Sequence, residues 1–272
     1  VARIDTVASR RHGKGTVDFL PAWGGSTIVV RGEYPESEPP YRVSAAVPWG
    51  ELHAGERLAE ELRRRGIAVG GEVRVATAGG AEEKEGAVLA RFRSPPLPEL
   101  LRPILEESSN WHAEMLLRLL AAELLGEGRS DDALELERRF LEDVVGLAPD
   151  AFYLDDASGL SPFNLITPEA VVGLLRFVHR QPWRRHFVAA LATPGRGTLE
   201  GWPTLPPLAA KTGTLEGTVA LAGYLDPPAA GAGAGEPVIF ACFLDHRPGA
   251  AAPLRAEIAG LVRRWAADRT GT

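Results

Sequence analysis

Two apolar runs in the last quarter of the chain constrain its fold most. Thr218–Leu225 and Val238–Leu244 carry β-branched and large apolar residues with hardly any polar alternation. That is the pattern of strands covered on both faces. Leu254, Ile258, Leu261, Val262 and Trp265 follow at helical spacing. Thr214–Leu225 and Pro237–Leu244 are therefore expected as an antiparallel hairpin with the 254–265 helix packed on it. Between them lie Asp226-Pro227-Pro228 and Gly231-Ala232-Gly233-Ala234-Gly235, a flexible connection.

Upstream the period changes. From about Leu97 the pattern is helical. Trp111–Leu125 carries Met115, Leu116, Leu119 and Leu120 as an apolar stripe, read as core packing. Asp131–Val145 reads as a second helix. Thr167-Pro168 opens a third, with Thr167 as N-cap, Pro168 in the first turn, and Val171, Val172, Leu174, Leu175 and Val178 inward. Glu51–Arg65 reads as a helix closed by Gly66. Val69–Ala76 and Ala87–Phe92 read as short strands around a turn at Gly79–Gly86. Residues 1–47 look β-rich, with Ser26–Val30 as a strand and Glu36–Pro40 as a turn. The expected division is thus 1–47 and 48–272.

The chain has 272 residues, is 45% hydrophobic and carries a formal charge of −6 at a pI near 5.6. That length buries a real core, and the charge gives no basic stripe for nucleic acid. One cysteine, Cys242, excludes an intrachain disulfide and a cysteine metal cluster; its apolar setting reads as a core strand. No apolar run approaches a membrane span, and no signal peptide is visible. The chain starts at Val1, in mid-pattern, which reads as a processed or partial chain.

The motifs narrow by elimination. H-E-x-x-H and G-x-S-x-G are absent, the 231–235 glycine run lacks the Lys-Ser/Thr of a phosphate loop, and the six histidines have no zinc spacing. Three polar patterns remain. Glu107-Ser108-Ser109-Asn110 precedes the Trp111 helix, where Ser and Asn serve equally as helix caps. Asp155-Asp156-Ala157-Ser158-Gly159-Leu160-Ser161 precedes Thr167 and serves equally as an ordinary polar loop. Lys211-Thr212-Gly213-Thr214 enters the first apolar strand.

An S-x-N before a helix, followed far downstream by K-T-G before a strand, matches two of the three signatures of serine β-lactamases and penicillin-binding proteins. The neighbouring text adds to this: Ser94-Pro95-Pro96-Leu97, Leu100–Leu105, Ala113–Arg118, Asp156–Ser161 with Asn164, Gly197-Thr198-Leu199, Ala210–Leu215 and Ala222-Gly223-Tyr224. Over most of 48–265 the chain resembles the penicillin-binding D-alanyl-D-alanine carboxypeptidase/endopeptidases that carry a large insertion, and 1–47 is similar to the tail of the inserted domain. Ser109 stands where that family often has Asp, and Ala157 where it often has Gly.

The resemblance implies an α/β (α+β) transpeptidase-like fold, an antiparallel sheet covered by helices and incomplete here, with a small β-rich remnant of the insertion. It implies Ser108, Asn110 and Lys211 as catalytic residues around one cleft, and Thr212, Gly213 and Thr214 as substrate-binding residues. Ser108 would relay a proton, Asn110 would orient substrate and the nucleophile's lysine, and Lys211 would supply charge. The two threonines would bond the terminal carboxylate, and the Thr214 N–H would serve as half an oxyanion hole. The implied partners are a peptidoglycan stem peptide ending in D-Ala-D-Ala and β-lactams, outside the cytoplasmic membrane, with no metal or cofactor. One element is missing. The residues three before the only lysines, Lys14, Lys84 and Lys211, are Arg11, Ala81 and Leu208, so no S-x-x-K exists in these 272 residues. The alternative is an inactive cell-wall binding or scaffolding protein of the same fold.

Overall fold

The computed structural model describes residues 2–4, 16–21, 28–34, 47, 49–75, 88, 90–226, 236–247 and 249–270. Internal contacts divide the chain into two units, Val1–Arg91 and Phe92–Thr272.

In the first unit, β1 (Ala2–Ile4), β2 (Thr16–Pro21) and β3 (Ile28–Glu33) form a sheet in the order β1-β3-β2, separate from the sheet of the second unit. β2 and β3 run antiparallel from Thr16↔Glu33 to Pro21↔Ile28, and β1 lies parallel to β3. Helix α1 (Gly50–Arg64) ends where Gly66 takes φ +80°. It sits in this unit, so the compact units divide near Arg91, beyond the Pro48 boundary suggested by sequence. The strand expected at Val69–Ala76 does not form over its described part, 69–75. That segment folds back on α1 instead. Arg63 Nη2 donates to Val69 O at 3.4 Å, and the Val73 side chain fills the space where Gly55 would carry a Cβ. A strand is a pairing, and these residues spend their contacts on a helix. The strand expected at 87–92 is likewise irregular at its described residues, with Phe92 exposed. The turns read at 36–40 and 79–86 lie outside the described residues, as do residues 227–235 of the glycine-rich connection.

The second unit is organised by three antiparallel strands in the order β6-β7-β8: β6 (Leu208–Leu215), β7 (Thr218–Leu225) and β8 (Val238–Leu244). The hairpin expectation holds for β7 and β8. The expected strand beginning at Thr214 is corrected, because Glu216-Gly217 is a tight turn with Gly217 at φ +75°. The K-T-G residues therefore lie in their own strand, with Lys211 opposite Ala222 and Thr214 opposite Val219. Both faces are covered, which removes the polar alternation. Leu208, Ala210, Val219, Leu221 and Leu225 pack with Leu254, Ile258 and Val262 of α7 (Ala251–Thr270). Ala209 and Tyr224 pack on the other face with Leu175 of α5 (Pro168–His179) and Phe187 and Val188 of α6 (Arg184–Ala190). Buried Tyr224 donates its hydroxyl to Leu175 O at 2.8 Å, and burial pushes its pKa upward. Cys242 is half-buried against the α7 side of the core.

Helices α2 (Leu97–Leu105), α3 (Asn110–Leu125) and α4 (Ser130–Arg139) precede the sheet; α4 runs into a π-helical turn, Phe140–Val145, stopped by Gly146 at φ +82°. A two-stranded ladder, β4 (Phe152–Tyr153) with β5 (Leu165–Ile166), leads to α5, whose N-cap Thr167 accepts from Ala170 N at 3.1 Å as its sequence foretells. The α3 stripe is a correction. Leu117 and Ala121 are the buried residues, packed with Ala133 of α4, whereas Met115, Leu119 and Leu120 stay exposed. Leu119 and Leu120, with Leu97, Leu101, Ile104 and Phe140, line an open apolar groove of about 1000 Å³. Period reports which residues share a face, and does not report what covers it.

Candidate active site

The site begins at the end of α2. Glu106 is buried and receives Arg102 Nε at 2.8 Å, Arg196 Nε at 2.7 Å and Arg196 Nη2 at 2.8 Å. Its backbone carbonyl accepts Thr198 N–H at 3.0 Å. Gly197 lies so close that a Cβ would stand 2.5 Å from that carbonyl oxygen, and its φ is +61°. Glu106 thus fastens the Arg196–Thr198 turn to the start of the S-x-N segment, by its carboxylate at Arg196 and its carbonyl at Thr198. Past Glu106 the chain reverses into α3: Ser109 N–H donates to Pro103 O at 2.8 Å, and Ser108 takes φ +58°. A left-handed serine costs conformational energy and holds its side chain in a fixed direction.

That direction meets β6. Lys211 Nζ donates to Ser108 Oγ at 2.6 Å and to Thr212 O at 2.7 Å, across a sequence gap of 103 residues for the first bond. Burial lowers the Lys211 pKa to about 8, because a desolvated ammonium loses part of its advantage over the amine. Thr212 faces the α7 side of β6, buried, and donates to Thr198 Oγ1 at 2.8 Å. Thr214 is exposed two residues on, on the same face. Ser108, Thr198, Trp202, Thr212, Thr214 and Arg255 line one cavity of about 280 Å³.

Of the residues singled out in the sequence, Ser108, Lys211, Thr212 and Thr214 come together here, and Gly213 lies between the two threonines with a hypothetical Cβ 3.3 Å from that of Ala220. Asn110 starts α3, exposed, and its side chain hydrogen-bonds no other described residue. The capping reading of Ser109 is modified: it is the N-cap residue, but its hydroxyl bonds His112 Nδ1 at 2.8 Å rather than a backbone N–H. Sequence reasoning missed Glu106, Thr198, Trp202 and Arg255 as site residues. Only Thr198 stood in a quoted motif.

The Asp155–Ser161 loop is built around two carboxylates. Glu114 of α3 accepts the N–H groups of Ala157 and Ser158 at 3.0 and 2.9 Å. Asp156 binds Ser158 Oγ, Gly159 N, Ser161 N and Asn164 Nδ2. Burial pushes the Asp156 carboxyl up, but those bonds outweigh it and hold its pKa below the ordinary value. Among the described residues no three His, Cys, Asp or Glu side chains gather as a metal site, and no helix is long and apolar enough to cross a membrane.

The sequence profile of the D-Ala-D-Ala carboxypeptidase 3 (S13) family matches residues 14–266. The chain belongs to that family. It is 34% identical over 217 residues to a D-alanyl-D-alanine carboxypeptidase of Actinomadura sp., covering 75% of this chain and 40% of the relative. It is 28% identical over 193 residues to D-alanyl-D-alanine carboxypeptidase DacB of Haemophilus influenzae, covering 68% of this chain and 40% of the relative. Among solved structures, penicillin binding protein 4 of Haemophilus influenzae in complex with a β-lactam superposes with a TM-score of 0.74 at 25% identity, covering 92% of this chain and 59% of that one. The chain therefore has the penicillin-binding fold, and it spans 40% of the length of these two curated relatives.

Proposed function

We propose that this chain is the C-terminal part of a serine D-Ala-D-Ala carboxypeptidase that acts on peptidoglycan stem peptides outside the cytoplasmic membrane. The observation that carries the reading is the 2.6 Å bond between Lys211 Nζ and Ser108 Oγ, beside the K-T-G strand. The nucleophile belongs to a Ser-x-x-Lys segment outside residues 1–272, since none exists within them. Its serine Oγ attacks the carbonyl of the D-Ala-D-Ala bond while the paired lysine takes the hydroxyl proton. The developing oxyanion is met by backbone N–H groups, one of them that of Thr214. Collapse breaks the C–N bond, and Ser108, hydrogen-bonded to Lys211, passes a proton to the departing amine. Asn110 donates its amide to the peptide, and Thr212, Gly213 and Thr214 hold its terminus. Water then hydrolyses the acyl-enzyme. A β-lactam meets the same serine and stays as the acyl adduct.

The 272-residue chain alone is inactive on this account. A serine without its own base is a weak nucleophile, and Ser108 is placed to relay a proton. Intact-mass measurement after incubation with penicillin tests the proposal. The full natural chain gains one adduct and releases D-alanine from a D-Ala-D-Ala peptide; residues 1–272 do neither. An adduct on Ser108 of the 272-residue chain overturns the assignment of the nucleophile. A full natural chain carrying no S-x-x-K, and taking no adduct, favours the alternative of an inactive wall-binding protein.

A further inference from the structure

The net charge of −6 is unevenly laid out along the chain. Residues 170–199 hold no Asp or Glu, where 36 such residues among 272 would place about four. The same stretch holds five arginines, and four of them fall between 176 and 185. The fifth, Arg196, is taken up by Glu106. Arg176, Arg180, Arg184 and Arg185 are exposed, and none forms an ion pair with a carboxylate among the described residues. Exposed arginines of α1 and α4 behave differently. Arg57 and Arg64 reach Glu60, Arg65 reaches Glu61, and Arg138 and Arg139 reach Glu135. Those helices interleave both signs, whereas 176–185 carries one.

The fold turns this group outward. Leu175 and Val178 of α5 are buried, and Phe187 and Val188 of α6 pack with Leu175. Arg176 and Arg180 lie four residues apart at the exposed end of α5, and Arg184 and Arg185 open α6. The turn between the helices is tied down. Gln181 N–H donates to Val178 O at 3.0 Å, Gln181 Nε2 to Phe177 O at 3.2 Å, and Arg184 N–H to Gln181 O at 3.1 Å. Within it stands Trp183, 45% exposed. Helix electrostatics explain only half of the group. Positive charge suits the C-terminal end of α5, but it opposes the dipole in the first turn of α6. Guanidiniums four residues apart also repel. An anionic surface relieves both costs.

We infer that Trp183 with Arg176, Arg180, Arg184 and Arg185 is a docking surface for a bilayer rich in anionic phospholipid. Arginine forks bind phosphate oxygens in pairs, and each basic residue near such a bilayer strengthens partition about fivefold. An indole set among them suits the boundary where headgroups meet acyl chains. A soluble polyanion offers no such boundary. The choice of a bilayer over nucleic acid also rests on the proposed location outside the cytoplasmic membrane.

The test sediments the full natural chain with vesicles of equal parts phosphatidylglycerol and phosphatidylcholine at low salt. Arg180→Gln/Arg184→Gln/Arg185→Gln is expected to weaken binding about 100-fold. Arg57→Gln/Arg64→Gln/Arg65→Gln removes as much charge from α1 and is expected to change binding by less than about threefold. Bromine-labelled acyl chains are expected to quench tryptophan fluorescence in the native protein, and Trp183→Phe is expected to lose most of that quenching. All these positions are exposed, so every variant should melt close to the native protein. Equal loss in the two triple variants, no loss in either, or equal binding to pure phosphatidylcholine vesicles overturns the inference. Binding to polyphosphate or DNA without quenching by brominated lipid overturns it as well, and assigns the patch to a soluble polyanion. Vesicle binding is read without turnover. A full chain that neither cleaves nor is acylated therefore overturns the proposed function, while the vesicles still decide the role of the patch.

Discussion

Gly197→Ala is expected to destabilise the second unit by about 3 kcal/mol through backbone strain and a lost hydrogen bond, partly offset in the unfolded chain. Gly197 has φ +61°, where an L-residue with a Cβ costs about 1–2 kcal/mol. The new methyl would sit 2.5 Å from Glu106 O and 2.6 Å from Glu106 Cγ, so Glu106 must move. That motion breaks the 3.0 Å bond from Thr198 N to Glu106 O, and a stranded backbone donor costs about 1–3 kcal/mol. Against this, alanine stiffens the unfolded chain by about 0.4–1 kcal/mol. The balance is about 1–5 kcal/mol, centred near 3. Gly201→Ala is the control, because nothing lies within 4 Å of its Cβ position. Hydrogen exchange of the β7 amides reports opening of this unit alone. At a factor of ten per about 1.4 kcal/mol, and with the gain in the unfolded chain common to both variants, they should exchange roughly 30- to 4000-fold faster in Gly197→Ala than in Gly201→Ala. A difference below about fivefold refutes the claim that Glu106 and Gly197 are locked together.

Lys211 has a folded pKa near 8 against an ordinary 10.5, so the unfolded chain binds more protons between those values and stability rises with pH across that window; the rise should vanish in Lys211→Met when the two proteins are melted at pH 7.5 and pH 10. Asp156 is held below the ordinary carboxylate value, so its contribution is present above pH 4 and lost as pH falls through its folded pKa; Asp156→Ala should weaken the acid dependence of amide protection at Gly159 and Ser161. Tyr224→Phe removes a buried hydroxyl bond while Leu175 O keeps its place within α5, which should cost about 0.5–1.5 kcal/mol in the β7 exchange measurement.

Much of the second unit was legible because its signals are local. β7, β8 and α7 announce themselves as uninterrupted apolar runs and a helical stripe, and Thr167-Pro168 is a cap written in two residues. Ser108 and Lys211 were legible as members of spaced motifs, although nothing in their spacing says that they touch. Glu106 and Arg255 were not legible. Each is one charged residue among many, and its role comes from partners roughly 40–90 positions away, supplied by the turn around Gly197 and the register of β6 against β7. The described part of the strand expected at 69–76 misled for a related reason. Its composition suits a strand, but Val73 found Gly55 of a helix rather than a ladder. The Met115, Leu119 and Leu120 stripe has the period of a core face and remains open.

β6 lies at the end of its sheet. Beyond the bridge between Ala192 and Ala210, its outer edge pairs with no other described strand. An edge that welcomes an extended peptide also welcomes the same edge of another molecule, which is how sheets begin to aggregate. The free stretch here runs only from Lys211 to Leu215, just before the turn at Glu216. It carries a cation, a glycine and two hydroxyls in place of a row of β-branched apolar residues. Shortness and polarity leave room for one guest strand of a few residues and give a second copy of the protein little to grip. A substitution such as Lys211→Ile or Gly213→Val in this stretch would therefore endanger solubility as well as the site.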